Sequence, residues 1–424
     1  MKILIDNVRL WTGETAIDGA CIQVDGARIA YAGARADAPA FDADEVIDAR
    51  GGIAMPGLVN AHTHLPMTLV RGVGTDLPLM DWLHSIWPLE DRLTPEMVRV
   101  GTQMSVLEAL RTGTTCFADA YMQSEVIAEA VLEAGMRLNI CRMMTGERTE
   151  DKLNEQRALF GRFNGAYDGR ARVYMGLHGE YTSDESLARA LAELAGELGT
   201  GLHVHVSETR SEVEECRGRR DGRSPVAYLR DMGAFDVPAL AAHCVWVDEN
   251  DMAIMREKGV TPVHNPVSNL KLASGIAPVE RMCQMGLNVA LGTDGAASNN
   301  TLDMFEELKL TAILQKGDTK IATAMPATKA LAIASQNGAR ALGFEDVGLI
   351  KAGYRADIVL LGNANPAHTA SRDIPGTLVY ATSGSDVRMT MVDGRVLYMD
   401  GEFKTLDEAR IRAGFTRAVD ELLG

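Results

Sequence analysis

Residues Ala54-Met55-Pro56-Gly57-Leu58-Val59-Asn60-Ala61-His62-Thr63-His64 run from a short apolar strand into two histidines one residue apart. Alternate residues of a strand share a face, so both imidazoles can reach one ion. The same texture recurs downstream. Short apolar runs at 54–60, 114–118, 137–142, 172–177, 201–206, 239–243, 260–264 and 288–292 predict eight strands. Helical periodicity falls between or beyond them, at 96–111, 184–198, 248–258, 304–315 and 327–341. Strand, loop and helix in repetition predict parallel strands joined by crossover helices. An eight-unit barrel needs ~250 residues. The interval 54–342 supplies slightly more. The expected fold is therefore α/β, a (β/α)8 TIM barrel.

The flanks read differently. Residues 2–10, 21–24 and 28–32 have strand patterns, with Asp25-Gly26 as a hairpin signal. Residues 357–361, 387–392 and 395–399 repeat the pattern at the other end, with Asp393-Gly394 and Asp400-Gly401 as turns, before a helical stretch at 406–423. Neither segment can form a core alone, so they are expected to pair into one small β-sandwich. The expected division is 1–55 for its N-terminal part, 56–345 for the barrel, and 346–424 for its C-terminal part with the last helix.

Composition excludes several functions. The net charge is −16, from 58 acidic and 42 basic residues, and no Lys/Arg block could track phosphates, so nucleic acid and anionic membranes are poor partners. No apolar run approaches the ~20 residues needed to span a bilayer, and the first residues enter a strand pattern without a signal peptide, so a cytoplasmic protein is expected. The six cysteines are scattered without a Cys-x-x-Cys pair, which signals neither a disulfide framework nor a thiolate zinc site. Cys244 follows His243 directly. Adjacent strand residues point to opposite faces, which disfavours a Cys/His nucleophile there.

Barrel enzymes carry their chemistry at the C-terminal ends of the strands. Strand one ends in His62 and His64, strand five in His203-Val204-His205-Val206-Ser207-Glu208, strand six in His243, and strand eight runs into Asp294. Any one of these histidines could be structural. Together they supply nitrogen and carboxylate donors at one mouth, which suits zinc or iron(II) better than calcium or magnesium.

The motif Pro56-Gly57-Leu58-Val59-Asn60-Ala61-His62-Thr63-His64 resembles the opening signature of the amidohydrolase superfamily. The run 61–92, the block 203–209, Ala242-His243-Cys244-Val245-Trp246, His264-Asn265-Pro266-x-Ser268-Asn269-x-Lys271-Leu272 and Gly292-Thr293-Asp294-Gly295 resemble the methylthioadenosine/S-adenosylhomocysteine deaminases and their chlorohydrolase relatives. The likeness implies that His62, His64, His205 and Asp294 are the metal ligands. It makes Glu208 the proton shuttle, His243 the group that holds the attacking water or the tetrahedral centre, and Asp294 the acceptor of the water proton. One divalent ion is expected, zinc first, with iron(II) or manganese as alternatives. The two-metal members of the superfamily carry a lysine at the end of strand four, where this chain reads Leu177-His178-Gly179-Glu180-Tyr181. His203 is accordingly assigned a hydrogen bond beside the site rather than a second ion.

The resemblance also implies a purine nucleoside substrate. It assigns Glu90 to the ribose hydroxyls, His178 to the purine ring, Ser298 to the pocket mouth, and Arg142 and Arg148 to the amino-acid carboxylate of S-adenosylhomocysteine. Bidentate geometry suits arginine to that task. The loop 143–147 is shorter than the family's, and His178-Gly179-Glu180-Tyr181 departs from the small residue and proline that more often follow the histidine in relatives, so that Glu180 adds a carboxylate close to the ring-binding region. The expected reaction is hydrolytic deamination of a 5′-substituted adenosine (methylthioadenosine, S-adenosylhomocysteine, 5′-deoxyadenosine or adenosine itself) to its inosine analogue and ammonia. The alternatives are hydrolysis of an amino- or chloro-substituted heterocycle such as an s-triazine, and a non-catalytic scaffold. A homo-oligomer is expected, with the apolar segment 75–87 as a lid or a subunit contact.

Overall fold

The computed structural model describes residues 1–424. Eight parallel strands form the barrel: Leu58–Thr63, Thr114–Tyr121, Arg137–Met144, Met175–Leu177, Leu202–Val206, Ala239–His243, Thr261–His264 and Ala290–Leu291. They are called barrel strands one to eight below. Strand four is preceded by Ala171–Val173, which pairs with strand three, so the expected 172–177 run is interrupted at Tyr174. Strand eight is the shortest, and side chains help to close the ring beside it. Asn60 donates to Thr293 Oγ1 at 2.7 Å and accepts from the Thr293 backbone at 3.0 Å, while the Asp294 backbone donates to the His62 carbonyl at 3.0 Å. Gly292 permits this closure. A Cβ there would lie 2.7 Å from the His62 carbonyl oxygen and 2.8 Å from its nitrogen.

The 54–60 run divides between two sheets. Ile53–Pro56 pairs with Lys2–Trp11 and, antiparallel, with Ile358–Leu361, while the barrel begins at Leu58. Both termini thus contribute to one mixed nine-stranded sheet. Its buried face gathers Ile3, Ile5, Leu10, Ile22, Ile358, Leu360 and Met391 into a core of its own. Asp393-Gly394 and Asp400-Gly401 form hairpin turns in which both residues have positive φ, the backbone that matches the twist of the flanking strands. The sheet curls back on itself, so that Gly394 packs on the Gly26 carbonyl with no room for a Cβ.

The helices follow their caps. Thr94 accepts from Met97 N ahead of Pro95–Arg111, Asp184 caps Glu185–Leu198, and Asp248 closes a capping box on Glu249–Lys258. The 327–341 run is two helices, Ala327–Ile333 and Gln336–Ala341, because Ser335 leaves helical geometry. The segment 75–87 contributes the helix Leu79–Glu90, which lies over the barrel mouth. No helix is long and apolar enough to cross a membrane.

Candidate active site

The C-terminal ends of the barrel strands open on a cavity of about 530 Å³. That volume suits a small organic ligand. His64, His205, Glu208, His243 and Asp294 stand on its floor, with His178 and Tyr181 on one side. The helix Leu79–Glu90 supplies a wall of Trp82, Leu83, Trp87 and Glu90.

His62, His64 and His205 bring their ligand atoms within 4.8 Å of one another, as do His62, His243 and Asp294. Asp294 Oδ1 lies 3.4 Å from His62 Nε2 and 3.2 Å from His64 Nε2, and His205 Nε2 lies 3.4 Å from His64 Nε2. The outer nitrogen of each imidazole is already engaged. His64 Nδ1 donates to the Ala120 carbonyl at 2.5 Å, His205 Nδ1 donates to the His178 carbonyl at 2.7 Å, and His62 Nδ1 pairs with His203 Nε2 at 2.9 Å. The two bonds to carbonyls fix the tautomers of His64 and His205, and all three turn Nε2 to the centre. His62 Nε2 is buried and makes no hydrogen bond in the protein. Burial also pushes His62 down to about 3, so its ring is neutral and its lone pair free. Three imidazole nitrogens and one carboxylate, converging around an orphaned ligand atom, fit a divalent ion of the zinc type.

Asp294 is prepared as an anion. Burial opposes its charge, but the adjacent His62 and His64 imidazoles hold its carboxyl well below the usual range. Its other oxygen accepts from Ser268 Oγ at 2.7 Å and Ser298 Oγ at 2.9 Å. Ser298 is fully buried behind Asp294 and is not at the pocket mouth, which corrects the expectation for it.

Glu208 Oε2 lies 3.7 Å from His243 Nε2. Burial raises the Glu208 pKa despite the neighbouring His243. His243 Nδ1 donates to Asn269 Oδ1 at 2.8 Å, which leaves Nε2 for the cavity. The turn that presents Glu208 is held by Glu212, whose carboxylate accepts from Ser207 N at 2.8 Å and Glu208 N at 2.7 Å. Ser207, His243 and Asp294 all adopt positive φ, a backbone that is uncommon for non-glycine residues. Cys244 is buried with its thiol 3.3 Å from the Ala241 carbonyl, and burial raises its pKa well above the usual value, so it takes no part in the cavity.

Glu90, the last residue of its helix, faces the cavity and accepts from the Tyr121 hydroxyl at 2.6 Å. Burial raises its pKa. His178 lines the cavity with Nδ1 bonded to Thr182 Oγ1 at 2.9 Å. Three other sequence expectations are overturned. Barrel strand three continues to Met144, so Met143 faces the cavity while Arg142 turns to the helical layer and pairs with Glu155 at 2.8 Å and Glu125 at 3.5 Å. Arg148 is on the surface, paired with Glu150. Glu180 is turned out of the cavity and buried against Arg219 and Arg220. Sequence reasoning gave no role to Tyr121, Tyr181, Glu212 or Asn269. Ser268 and Asn269 belong to the motif that follows His264, but which polar atoms they meet depends on how the helix Pro266–Lys271 is set after strand seven.

The amidohydrolase family model matches residues 53–397. A 5-methylthioadenosine/S-adenosylhomocysteine deaminase of Caldanaerobacter subterraneus is 43% identical over 97% of this chain and 96% of its own. A 5′-deoxyadenosine deaminase of Methanosarcina mazei is 45% identical over 90% of this chain and 89% of its own. Among solved structures, a zinc-bound adenosine deaminase from Xanthomonas campestris superposes with a TM-score of 0.95 at 32% identity, over 99% of this chain and 98% of that one. The chain belongs to the amidohydrolase family.

Proposed function

We propose that the protein is a metal-dependent hydrolytic deaminase of 5′-substituted adenosines, yielding the inosine analogue and ammonia. The observation that carries this reading is the arrangement of one cavity. His64, His205, Asp294, Glu208 and His243 line its floor with His62 buried against them, and the Glu90 carboxylate stands on its wall. A carboxylate in that position can accept from two vicinal ribose hydroxyls while the heterocycle lies over the floor. A flat triazine offers no such hydroxyls, and the retention of every donor together with Glu208 argues against a scaffold role.

His62, His64, His205 and Asp294 would hold one zinc ion, in keeping with the zinc-bound relative. Such an ion acts as a Lewis acid and lowers the pKa of its water from ~15.7 towards ~7. The protein's own groups do the rest. Asp294, an anion with Oδ1 facing the centre, accepts the proton of the attacking water. Glu208, with its pKa raised by burial, protonates the ring nitrogen. It then takes the second proton of the attacking water from the hydroxyl at the attacked carbon and passes it to the departing amine. The proton held by Asp294 returns to Glu208, so both carboxyls end as they began. His243 Nε2 steadies the oxygen that develops at the attacked carbon. Trp82, Leu83 and Trp87 keep bulk water from the ring.

Arg142 and Arg148 are both engaged on other faces, so a carboxylate clamp for S-adenosylhomocysteine has no support, and neutral 5′ substituents are favoured. The exposed Leu77, just before the helix Leu79–Glu90, and Met80, within its first turn, support assembly into a homo-oligomer. Ammonia release from methylthioadenosine, 5′-deoxyadenosine, adenosine, S-adenosylhomocysteine and melamine by metal-assayed protein tests the reading. Turnover of nucleosides is expected. Silence on all four with activity on melamine would transfer the site to the heterocycle hydrolases.

A further inference from the structure

The Glu180 side chain is 0% exposed although it does not face the cavity. Arg219 Nη2 donates to one of its oxygens at 2.7 Å and Arg220 Nε to the other at 2.9 Å. The Arg220 guanidinium also stacks on the Tyr228 ring, 4.3 Å from its centroid. A carboxylate taken out of water persists only when its charge is met, and here two arginines meet it. The clasp joins two parts of the cavity wall. Arg219 ends the helix Arg210–Arg219, and Glu212 on the same helix holds the turn that carries Glu208. Glu180 lies in the loop after barrel strand four, between His178 and Thr182.

The next residue turns the other way. Tyr181 enters the cavity beside His178, Thr182 and Glu208. Its ring packs over Gly179, where a Cβ would come 3.1 Å from Tyr181 Cε1, and stands edge-on to His178 with centroids 5.8 Å apart. The Tyr121 hydroxyl, which lines the same cavity, has an oxygen partner in Glu90 at 2.6 Å. The Tyr181 hydroxyl has none in the chain. Burial raises its pKa well above the usual value, so it is a neutral O–H donor facing the ligand space.

We infer that Tyr181 is a substrate-contacting residue, its hydroxyl donating to a lone pair of the heterocycle seated between His178 and Glu208. Glu180, clasped by Arg219 and Arg220, is the positioning residue that keeps Tyr181 there. The inference rests on the deamination reading and adds to it a specificity element on the side of the cavity away from Glu90.

The test is steady-state kinetics on methylthioadenosine with fully metallated wild type, Tyr181→Phe, Glu180→Ala, Glu180→Gln and the Glu180→Ala/Tyr181→Phe double variant. Loss of one hydrogen bond corresponds to about a 5- to 10-fold fall in kcat/KM for Tyr181→Phe, carried mainly by KM. Glu180→Ala falls by about the same factor, Glu180→Gln recovers part of it, and the double variant is little worse than either single one, because the two act through one contact. Metal content stays at the wild-type value throughout. Should Glu180→Ala not fold, Arg219→Ala loosens the clasp from its 41% exposed side and takes its place in the cycle. Tyr181→Phe within twofold of an active wild type overturns this inference alone. Losses that simply multiply in the double variant overturn the positioning role of Glu180. A wild type that releases no ammonia from any nucleoside overturns the deamination reading and this inference with it.

Discussion

The Glu208 carboxylate and the His243 imidazole face each other across 3.7 Å on the cavity floor, neither more than 7% exposed. The pair divides the labour of an acid and a polar anchor, since burial raises the pKa of Glu208 and Asn269 holds His243 by its far nitrogen. Glu208→Gln keeps the shape and removes the transferable proton. Turnover should fall at least ~100-fold, the lower range for general acid/base catalysis, while metal content is unchanged. Undiminished kcat on metal-assayed protein would remove Glu208 from the mechanism.

Asp294 is the only carboxylate among the four donors, and it is the one held by two serines. Asp294→Ala should lower both metal stoichiometry and activity. Ser298→Ala removes one of two donors behind it, and a milder loss of metal affinity, about 10-fold, is expected from weakening a ligand's support. Metal analysis after dialysis against a graded chelator measures both. A fully metallated, active Asp294→Ala protein would contradict the ligand assignment.

Much of this site was legible in the chain because strand geometry is strict. Alternation places His62 with His64, and the barrel rule places strand ends together, so donors more than 200 residues apart in sequence could be assembled on paper. The expectations that failed depend on where a strand stops. Arg142 becomes a cavity residue only if strand three ends there, and two further residues, Met143 and Met144, pair with strand four and leave it facing outward. Ser298 and Glu180 lie in turns, where no periodicity tells which way a side chain faces. Glu180 is decided by two arginines about 40 positions later, a contact invisible to local pattern.

Glu90 is held by Tyr121 at 2.6 Å, which leaves its second oxygen for ligand. Glu90→Gln preserves the Tyr121 bond through its amide oxygen but loses the charge. A hydrogen bond to a charged group is worth about 1.5–3 kcal/mol, so kcat/KM for adenosine should fall roughly 10- to 150-fold. 2′,3′-Dideoxyadenosine should be nearly indifferent to the substitution. An unchanged ratio between the two nucleosides would move the ribose elsewhere in the cavity.

Arg137 begins barrel strand three and lies at the end of the barrel away from the donors, where it meets the terminal sheet. Its guanidinium donates to both oxygens of Asp357, at 2.9 and 3.0 Å, and to Asp393 at 2.7 Å, with Arg137 and Asp357 each 1% exposed. Removing one partner of a buried pair leaves the other uncompensated, which costs about 3–5 kcal/mol. Arg137→Ala should therefore unfold at markedly lower urea concentration while the folded fraction keeps its kcat. Arg137→Met with Asp357→Leu should recover part of the loss, because a well-packed apolar pair no longer buries a lone charge, although Asp393 still needs Arg355 at 3.3 Å. Equal urea midpoints for Arg137→Ala and wild type would mean that this ion pair does not fasten the sheet to the barrel.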